Sequence, residues 1–133
     1  MEKKSVLIVD DEMSILVPLQ FLMEKSGFRV TLAQSGKDAL TSIAESRPDV
    51  ILLDIMLPDL DGYEIFQMIR ENRRWDDIKI IFLTAKTSDR DIARGLNLGV
   101  DAYITKPFAN QELLATVHSV LVDETTAMED GSP

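Results

Sequence analysis

The chain has 133 residues, a formal net charge of −9 and no cysteine. This length suits one domain that folds without disulfides or a structural metal. The lack of cysteine excludes disulfides and thiolate metal sites, and it fits a reducing compartment. The acidic balance disfavours direct nucleic-acid binding, and no apolar stretch approaches the ~20 residues of a membrane span. With no signal-peptide pattern at its start, the protein is expected to be cytoplasmic.

The first elements are two strands, each followed by a helix. Residues 5–9 form a continuous apolar run, which predicts a strand buried on both faces. Ser14 can cap the helix that follows. Residues 28–32 alternate between apolar and polar, as in a more exposed edge strand, and a second helix opens at Ser35.

The middle of the chain repeats this order. Residues 50–53 are four consecutive apolar residues, which predict another strand buried on both faces. The spacing of apolar residues then predicts a helix over 63–71, and residues 78–83 predict the fourth strand.

The chain closes with a helix, a strand and a last helix. The fourth helix covers about residues 89–98, although Gly95 weakens its interior. Residues 102–105 predict the fifth strand, and the last helix is expected to end near Val122. Residues 123–133 hold four acidic and no basic residues, so we expect a domain over 1–122 and a disordered tail or the start of a linker after it.

Five strands joined by helices through short connections predict a doubly wound α/β domain with a parallel sheet. Reactive side chains follow four of these strands, namely Asp10 and Asp11, Asp54, Thr84 and Lys106. The carboxyl ends of parallel strands share one edge, so these side chains are expected to converge. Three crowded carboxylates need neutralising, and Mg²⁺ with oxygen ligands fits better than zinc.

This convergence suits phosphoryl transfer. Asp54 can act as the nucleophile, while Lys106, the Thr84 hydroxyl and Mg²⁺ stabilise the phosphoryl oxygens. The small side chain of Ala85 leaves room for the phosphoryl group. The product would be an acyl phosphate, which is prone to hydrolysis.

The same residues closely resemble the response-regulator receiver family of two-component phosphorelay signalling, over about residues 4–122. The matching motifs are Val9-Asp10-Asp11-Glu12, Leu53-Asp54 through Pro58 and Gly62, Leu83-Thr84-Ala85, and Tyr103 with Lys106-Pro107-Phe108. In extent the chain is similar to the single receivers of chemotaxis. The resemblance implies a flavodoxin-like sheet of order 2-1-3-4-5 with five helices.

The resemblance also implies a mechanism and a metal site. A histidine kinase or histidine phosphotransfer protein would pass its phosphoryl group to Asp54, and slow self-dephosphorylation would follow. Asp11, Asp54 and the backbone carbonyl of Met56 would bind Mg²⁺ directly, and Asp10 would bind it through water. Lys106 and Pro107 would be joined by a cis peptide bond.

Output is expected to pass through a switch. In the family, the residue at Thr84 moves toward the phosphoryl group and the aromatic at Tyr103 turns inward. This would remodel the face made by the fourth helix, fifth strand and fifth helix, which could bind a downstream protein or form a phosphorylation-dependent dimer. Tyr103 could equally be an ordinary surface aromatic. Met56 and Lys86, which flank the path of the attacking water, are expected to tune dephosphorylation with Ala85.

Two other functions compete with signalling. A Mg²⁺-dependent phosphohydrolase would also form an aspartyl phosphate, but such enzymes usually carry a second acid where this chain has Met56. A flavin-binding protein would need a Gly- and Ser/Thr-rich phosphate loop after the first strand, where this chain has acids. His118 lies in the last helix, faces no predicted site and is expected to be a surface residue.

Overall fold

The computed structural model describes residues 3–85 and 88–130, without the side chains of residues 123–130. One sheet of five parallel strands has the order β2-β1-β3-β4-β5. The strands are β1 Ser5–Val9, β2 Arg29–Ala33, β3 Val50–Leu53, β4 Lys79–Thr84 and β5 Ala102–Thr105. The helices are α1 Met13–Lys25, α2 Gly36–Glu45, α3 Gly62–Glu71, α4 Asp89–Leu98 and α5 Asn110–Asp130. The expected flavodoxin-like order is confirmed, with β2 at an edge.

Helices cover both faces of the sheet. The cluster on one face joins alternate strand residues to α2, α3 and the segment after α4, and the cluster on the other face joins the remaining strand residues to α1 and α5. Strand β1 shows this division clearly, since Leu7 and Val9 belong to the first cluster and Val6 and Ile8 to the second. Burial on both faces explains why the central strands are continuous apolar runs rather than alternating ones.

Two helix ends differ from the prediction. Helix α1 begins at Met13 after Glu12, and Ser14 lies inside it, so the prediction that Ser14 caps this helix is wrong. The Glu12 carbonyl already accepts from the Ile15 and Leu16 N–H groups, after a turn in which the Asp10 side chain accepts from the Glu12 N–H at 2.9 Å. Helix α5 continues to Asp130 rather than ending near Val122. Neither proline nor glycine occurs between these positions, so no residue type there stops a helix.

No helix within the described ranges is both long and apolar enough to span a membrane.

An aromatic cluster lies between the sheet and helices α3 and α4. Phe82 of β4 is its centre, and the rings of Tyr63, Phe66 and Tyr103 meet Phe82 edge to face at centroid distances of 5.5, 6.0 and 6.0 Å. The guanidinium of Arg94 lies 3.8 Å from the centre of the Tyr63 ring. Tyr63 is 4% exposed, and its hydroxyl has no hydrogen-bond partner among the described residues.

This buried hydroxyl leads to a stability prediction. Because a buried hydroxyl without a partner loses its hydration, Tyr63→Phe is expected to raise the free energy of unfolding by about 1 kcal/mol. Urea unfolding followed by circular dichroism measures the change. Tyr103→Phe is the matched control, since it removes the hydroxyl of the other tyrosine in the same cluster, a residue that is only partly buried. A loss of stability in Tyr63→Phe would contradict the prediction.

Candidate functional site

Two buried carboxylates lie side by side at the carboxyl edge of the sheet. Asp10 follows β1 and Asp54 follows the neighbouring strand β3, and they are 2% and 6% exposed. The Asp54 N–H donates to the Val9 carbonyl at 3.0 Å, which extends the strand pairing up to the site. The shared edge predicted from the strand ends therefore brings these two residues together.

Lys106 links the two carboxylates. Its Nζ donates to Asp10 Oδ2 at 2.6 Å and to Asp54 Oδ2 at 3.2 Å. Burial lowers the pKa of Lys106, but the hydrogen bond to Asp10 and the charge of Asp54 outweigh it and raise this pKa overall. Lys106 is thus held as a cation between two anions.

The outer oxygen of each carboxylate is fixed by the backbone two residues later. Asp10 Oδ1 accepts from the Glu12 N–H at 2.9 Å, and Asp54 Oδ1 accepts from the Met56 N–H at 3.0 Å. Asp side chains commonly fold back on their own backbone in this way. Together with Lys106, these bonds set the orientation of both carboxylates.

The loop after Asp54 is held tightly against the strand end. A Cβ at Gly62 would lie 2.6 Å from the Ile55 Cα and 3.0 Å from the Asp54 carbonyl oxygen, so only glycine lets α3 start this close to the site. Asp61 and Glu64 form a capping box at the same helix start. The Asp59 carboxylate accepts from the Gly36 N–H, which fastens the loop to α2.

An open cavity of about 390 Å³ gives access to Asp54. The described residues that line it are Asp11, Glu12, Asp54, Met56, Ala85 and Lys106. All of them except Glu12 are predicted from the sequence to be metal ligands, phosphoryl contacts or tuning residues. Met56 is 56% exposed at its rim. The cavity is thus lined by the buried Asp54 carboxylate and by the Lys106 ammonium group that contacts it.

Oxygen donors for a metal ion gather in the same place. Carboxylate oxygens of Asp10, Asp11 and Glu12 all lie within 4.8 Å of one another, with Asp10 buried and the other two exposed. Hard oxygen donors partly open to water are what Mg²⁺ prefers, so these residues fit the predicted ion. Glu12 was not among the predicted ligands, although its place directly after Asp11 was the available signal.

The two predicted switch residues lie on the neighbouring strands β4 and β5. Thr84 is fully buried at the end of β4, and its carbonyl accepts from the Lys106 N–H at 2.9 Å. Tyr103 is partly buried on β5, and burial raises the pKa of its phenol to about 12. The Lys106–Pro107 peptide bond is cis. Lys86, a predicted tuning residue, lies outside the described residues.

His118 is not part of this site. It is exposed on α5 and stacks on Phe28 with ring centres 5.8 Å apart, beside Lys3 and Lys4. Arg94 was not predicted from the sequence, yet it lines a cavity beside the site with Asp11 and Met56. A single arginine on a polar helix face carries no signal of such a contact.

Comparison with known proteins identifies the family of this arrangement. Residues 6–118 match the model of the response regulator receiver domain. The chain is 43% identical over 118 residues to the alkaline phosphatase synthesis transcriptional regulatory protein PhoP of Bacillus subtilis (strain 168), covering 89% of this chain and 48% of PhoP. The chain thus spans about half the length of this curated relative.

Solved structures agree with the family match. The CheY-like response regulator receiver domain protein of Methanospirillum hungatei JF-1 superposes with a TM-score of 0.87 and 31% identity, over 95% of this chain and 99% of that one. The BeF3-activated DrrB receiver domain superposes with a TM-score of 0.81 and 37% identity, over 90% and 98%.

Proposed function

This chain belongs to the response-regulator receiver family, and on that premise we propose that Asp54 is its phosphoacceptor. The donor is a phosphohistidine of a histidine kinase or histidine phosphotransfer protein. The observation that carries the proposal is the buried Asp54 carboxylate, held by Lys106 and the Met56 N–H and reached through an open cavity.

The proposed transfer moves one phosphoryl group. A carboxylate oxygen of Asp54 attacks phosphorus, the P–N bond of the phosphohistidine breaks, and the imidazole leaves with the bonding electron pair and takes up a proton. Lys106 is placed to offset charge on the phosphoryl oxygens, and the Thr84 hydroxyl is proposed to reach them when the switch closes. Water later attacks the acyl phosphate, with Met56, Ala85 and Lys86 proposed to tune its approach.

The proposed metal ligands are Asp10, Asp11, Asp54 and the backbone carbonyl of Met56. When bound there, Mg²⁺ would supply positive charge that offsets the clustered carboxylates and the incoming phosphoryl oxygens. The closeness of the Asp10, Asp11 and Glu12 oxygens supports this assignment.

Mg²⁺ is therefore expected to stabilise the folded protein. An ion that binds only the folded state adds about 2.7 kcal/mol at one hundred times its dissociation constant, so the thermal midpoint should rise by several degrees at saturation. Scanning fluorimetry with increasing MgCl₂ measures the rise, with KCl at equal ionic strength as the control. An unchanged midpoint at saturating Mg²⁺, or an equal rise in KCl, would count against the metal site.

Output is proposed to pass from Thr84 to Tyr103 and then to the face made by α4, β5 and α5. This face would bind a downstream protein, an output domain or a second copy of the chain. We further propose that residues 1–122 form the receiver unit, with 123–133 as a tail or linker, and that it works in the cytoplasm. The described residues include no membrane-spanning helix.

Acetyl phosphate tests the proposal directly. With Mg²⁺ it is expected to add one phosphoryl group to the intact protein, detected by mass spectrometry, and the adduct should decay slowly after the reagent is removed. Absence of any adduct would contradict the proposal. Many turnovers per minute on a small phosphate ester would instead favour the phosphohydrolase alternative.

A further inference from the structure

Gly95 is a buried glycine in the interior of α4. After proline, glycine weakens a helix interior more than any other residue, so it needs a local reason there. The backbone supplies none, because the only glycines with positive φ among the described residues are Gly27 and Gly99. The reason must lie in what surrounds Gly95.

The ring of Tyr103 fills the space that a side chain at position 95 would need. A Cβ added to Gly95 would lie 2.9 Å from Tyr103 Cδ2, 3.0 Å from Tyr103 Cε2 and 3.2 Å from Phe82 Cδ2. Distances this short require one of the rings to move. The Tyr103 ring therefore packs directly against Gly95.

The Tyr103 ring also contacts the strand that carries Thr84. Tyr103 and Phe82 are partners in the register of β4 and β5, and their rings meet edge to face at an interplanar angle of 83°. Thr84 follows Phe82 by two residues and so points to the same face of the sheet. The ring of Tyr103 thus contacts both Gly95 of α4 and Phe82 of β4.

We propose that Gly95 is a positioning residue for Tyr103. Because Gly95 has no side chain, it leaves the space in which the Tyr103 ring packs against Phe82. Any side chain at this position displaces the ring and uncouples it from Thr84. The inference rests on the proposed function, in which Tyr103 responds to phosphorylation of Asp54.

The direction in which the thermal midpoint of the full chain changes tests the proposal. Replacing an interior helical glycine by alanine normally stabilises a helix. If Gly95 positions the Tyr103 ring, Gly95→Ala instead lowers the thermal midpoint by several degrees. In a Tyr103→Ala background, where the ring is gone, Gly95→Ala raises the midpoint. Asn97→Ala, on the exposed side of the same helix, is the control for helix propensity. A higher midpoint for Gly95→Ala in the wild-type background would overturn the proposal.

Titration of the tyrosines separates displacement of the ring from simple loss of stability. The chain has two tyrosines, so ¹³Cζ-tyrosine NMR resolves each, and Tyr103→Phe assigns them. Burial raises the pKa of Tyr103 to about 12, and in Gly95→Ala this pKa is expected to fall toward the ordinary range, whereas the Tyr63 pKa, which burial raises and Arg94 lowers, should change less. An unchanged Tyr103 titration in Gly95→Ala would overturn the proposal.

Phosphorylation tests whether Gly95 affects the response of Tyr103. Gly95→Ala is expected to accept a phosphoryl group from acetyl phosphate as the wild type does, but its Tyr103 signal should no longer shift on phosphorylation. A wild-type shift that persists in Gly95→Ala would overturn the coupling. If the wild type accepts no phosphoryl group, the proposed function fails. The thermal midpoints and the tyrosine titration would still decide whether Gly95 positions the Tyr103 ring.

Discussion

Asp54→Asn is expected to abolish Mg²⁺-dependent phosphorylation by acetyl phosphate, to below detection by intact mass. The carboxamide has nearly the same shape as the carboxylate but is a far weaker nucleophile, so the chemistry is lost while the packing is kept. The Asn side-chain oxygen can still accept from the Met56 N–H, as Asp54 Oδ1 does at 3.0 Å. Lys106 also retains Asp10 as a partner, at 2.6 Å.

Two controls make this result specific. Asp38→Asn changes an exposed carboxylate in the first turn of α2 and should be phosphorylated like the wild type. Asp11→Asn, at a proposed metal ligand, should slow the reaction and shift its Mg²⁺ dependence without removing the acceptor. An adduct on Asp54→Asn equal to that on the wild type would place the acceptor elsewhere.

The convergence of the site could be predicted from the sequence because it depends on strand ends. Once Asp10 follows one buried strand and Asp54 follows another, parallel pairing alone puts them on one edge. The same argument applies to Lys106 after β5. Strand patterns are local, so these positions needed no knowledge of distant contacts.

Features that depend on contacts between distant segments were not predictable in this way. The sequence indicated Gly95 only as a weak point in a helix, whereas the structure shows the ring of Tyr103 against it. No sequence pattern singled out Asp59, yet its carboxylate accepts from the Gly36 and Lys37 N–H groups at the start of α2. The start of α1 was misplaced at Ser14, since the helix begins at Met13 after a turn in which Asp10 accepts from the Glu12 N–H.

The pattern of hydrogen bonds at Lys106 was likewise beyond the sequence. Convergence predicts that an ammonium group meets several carboxylates, but not that it is shared between Asp10 and Asp54 while Asp11 lies in the open cavity. This sharing makes Lys106 a structural counter-ion, in addition to its proposed role at the phosphoryl group. Its removal should therefore affect stability before any phosphoryl group arrives.

Lys106→Met is expected to lower the free energy of unfolding by about 3 kcal/mol in the absence of Mg²⁺. Removing one partner of a buried ion pair leaves its counter-charge unpaired, which typically costs about 3–5 kcal/mol, and the open cavity favours the lower end. Methionine keeps an unbranched side chain of similar reach without the ammonium group, so the loss chiefly reports charge rather than a void. Urea unfolding in EDTA measures the change, with exposed Lys37→Met as the matched control.

Partial rescue would identify the cause of this loss. If repulsion between Asp10 and Asp54 is responsible, adding Asp10→Asn to Lys106→Met should recover part of the lost stability, because one of the two buried anions is gone. Saturating Mg²⁺ should stabilise Lys106→Met more than it stabilises the wild type, since the ion then supplies positive charge that Lys106 no longer provides. If Lys106→Met loses no more stability than Lys37→Met, Lys106 is not a structural counter-ion, and its role would be confined to the phosphoryl group.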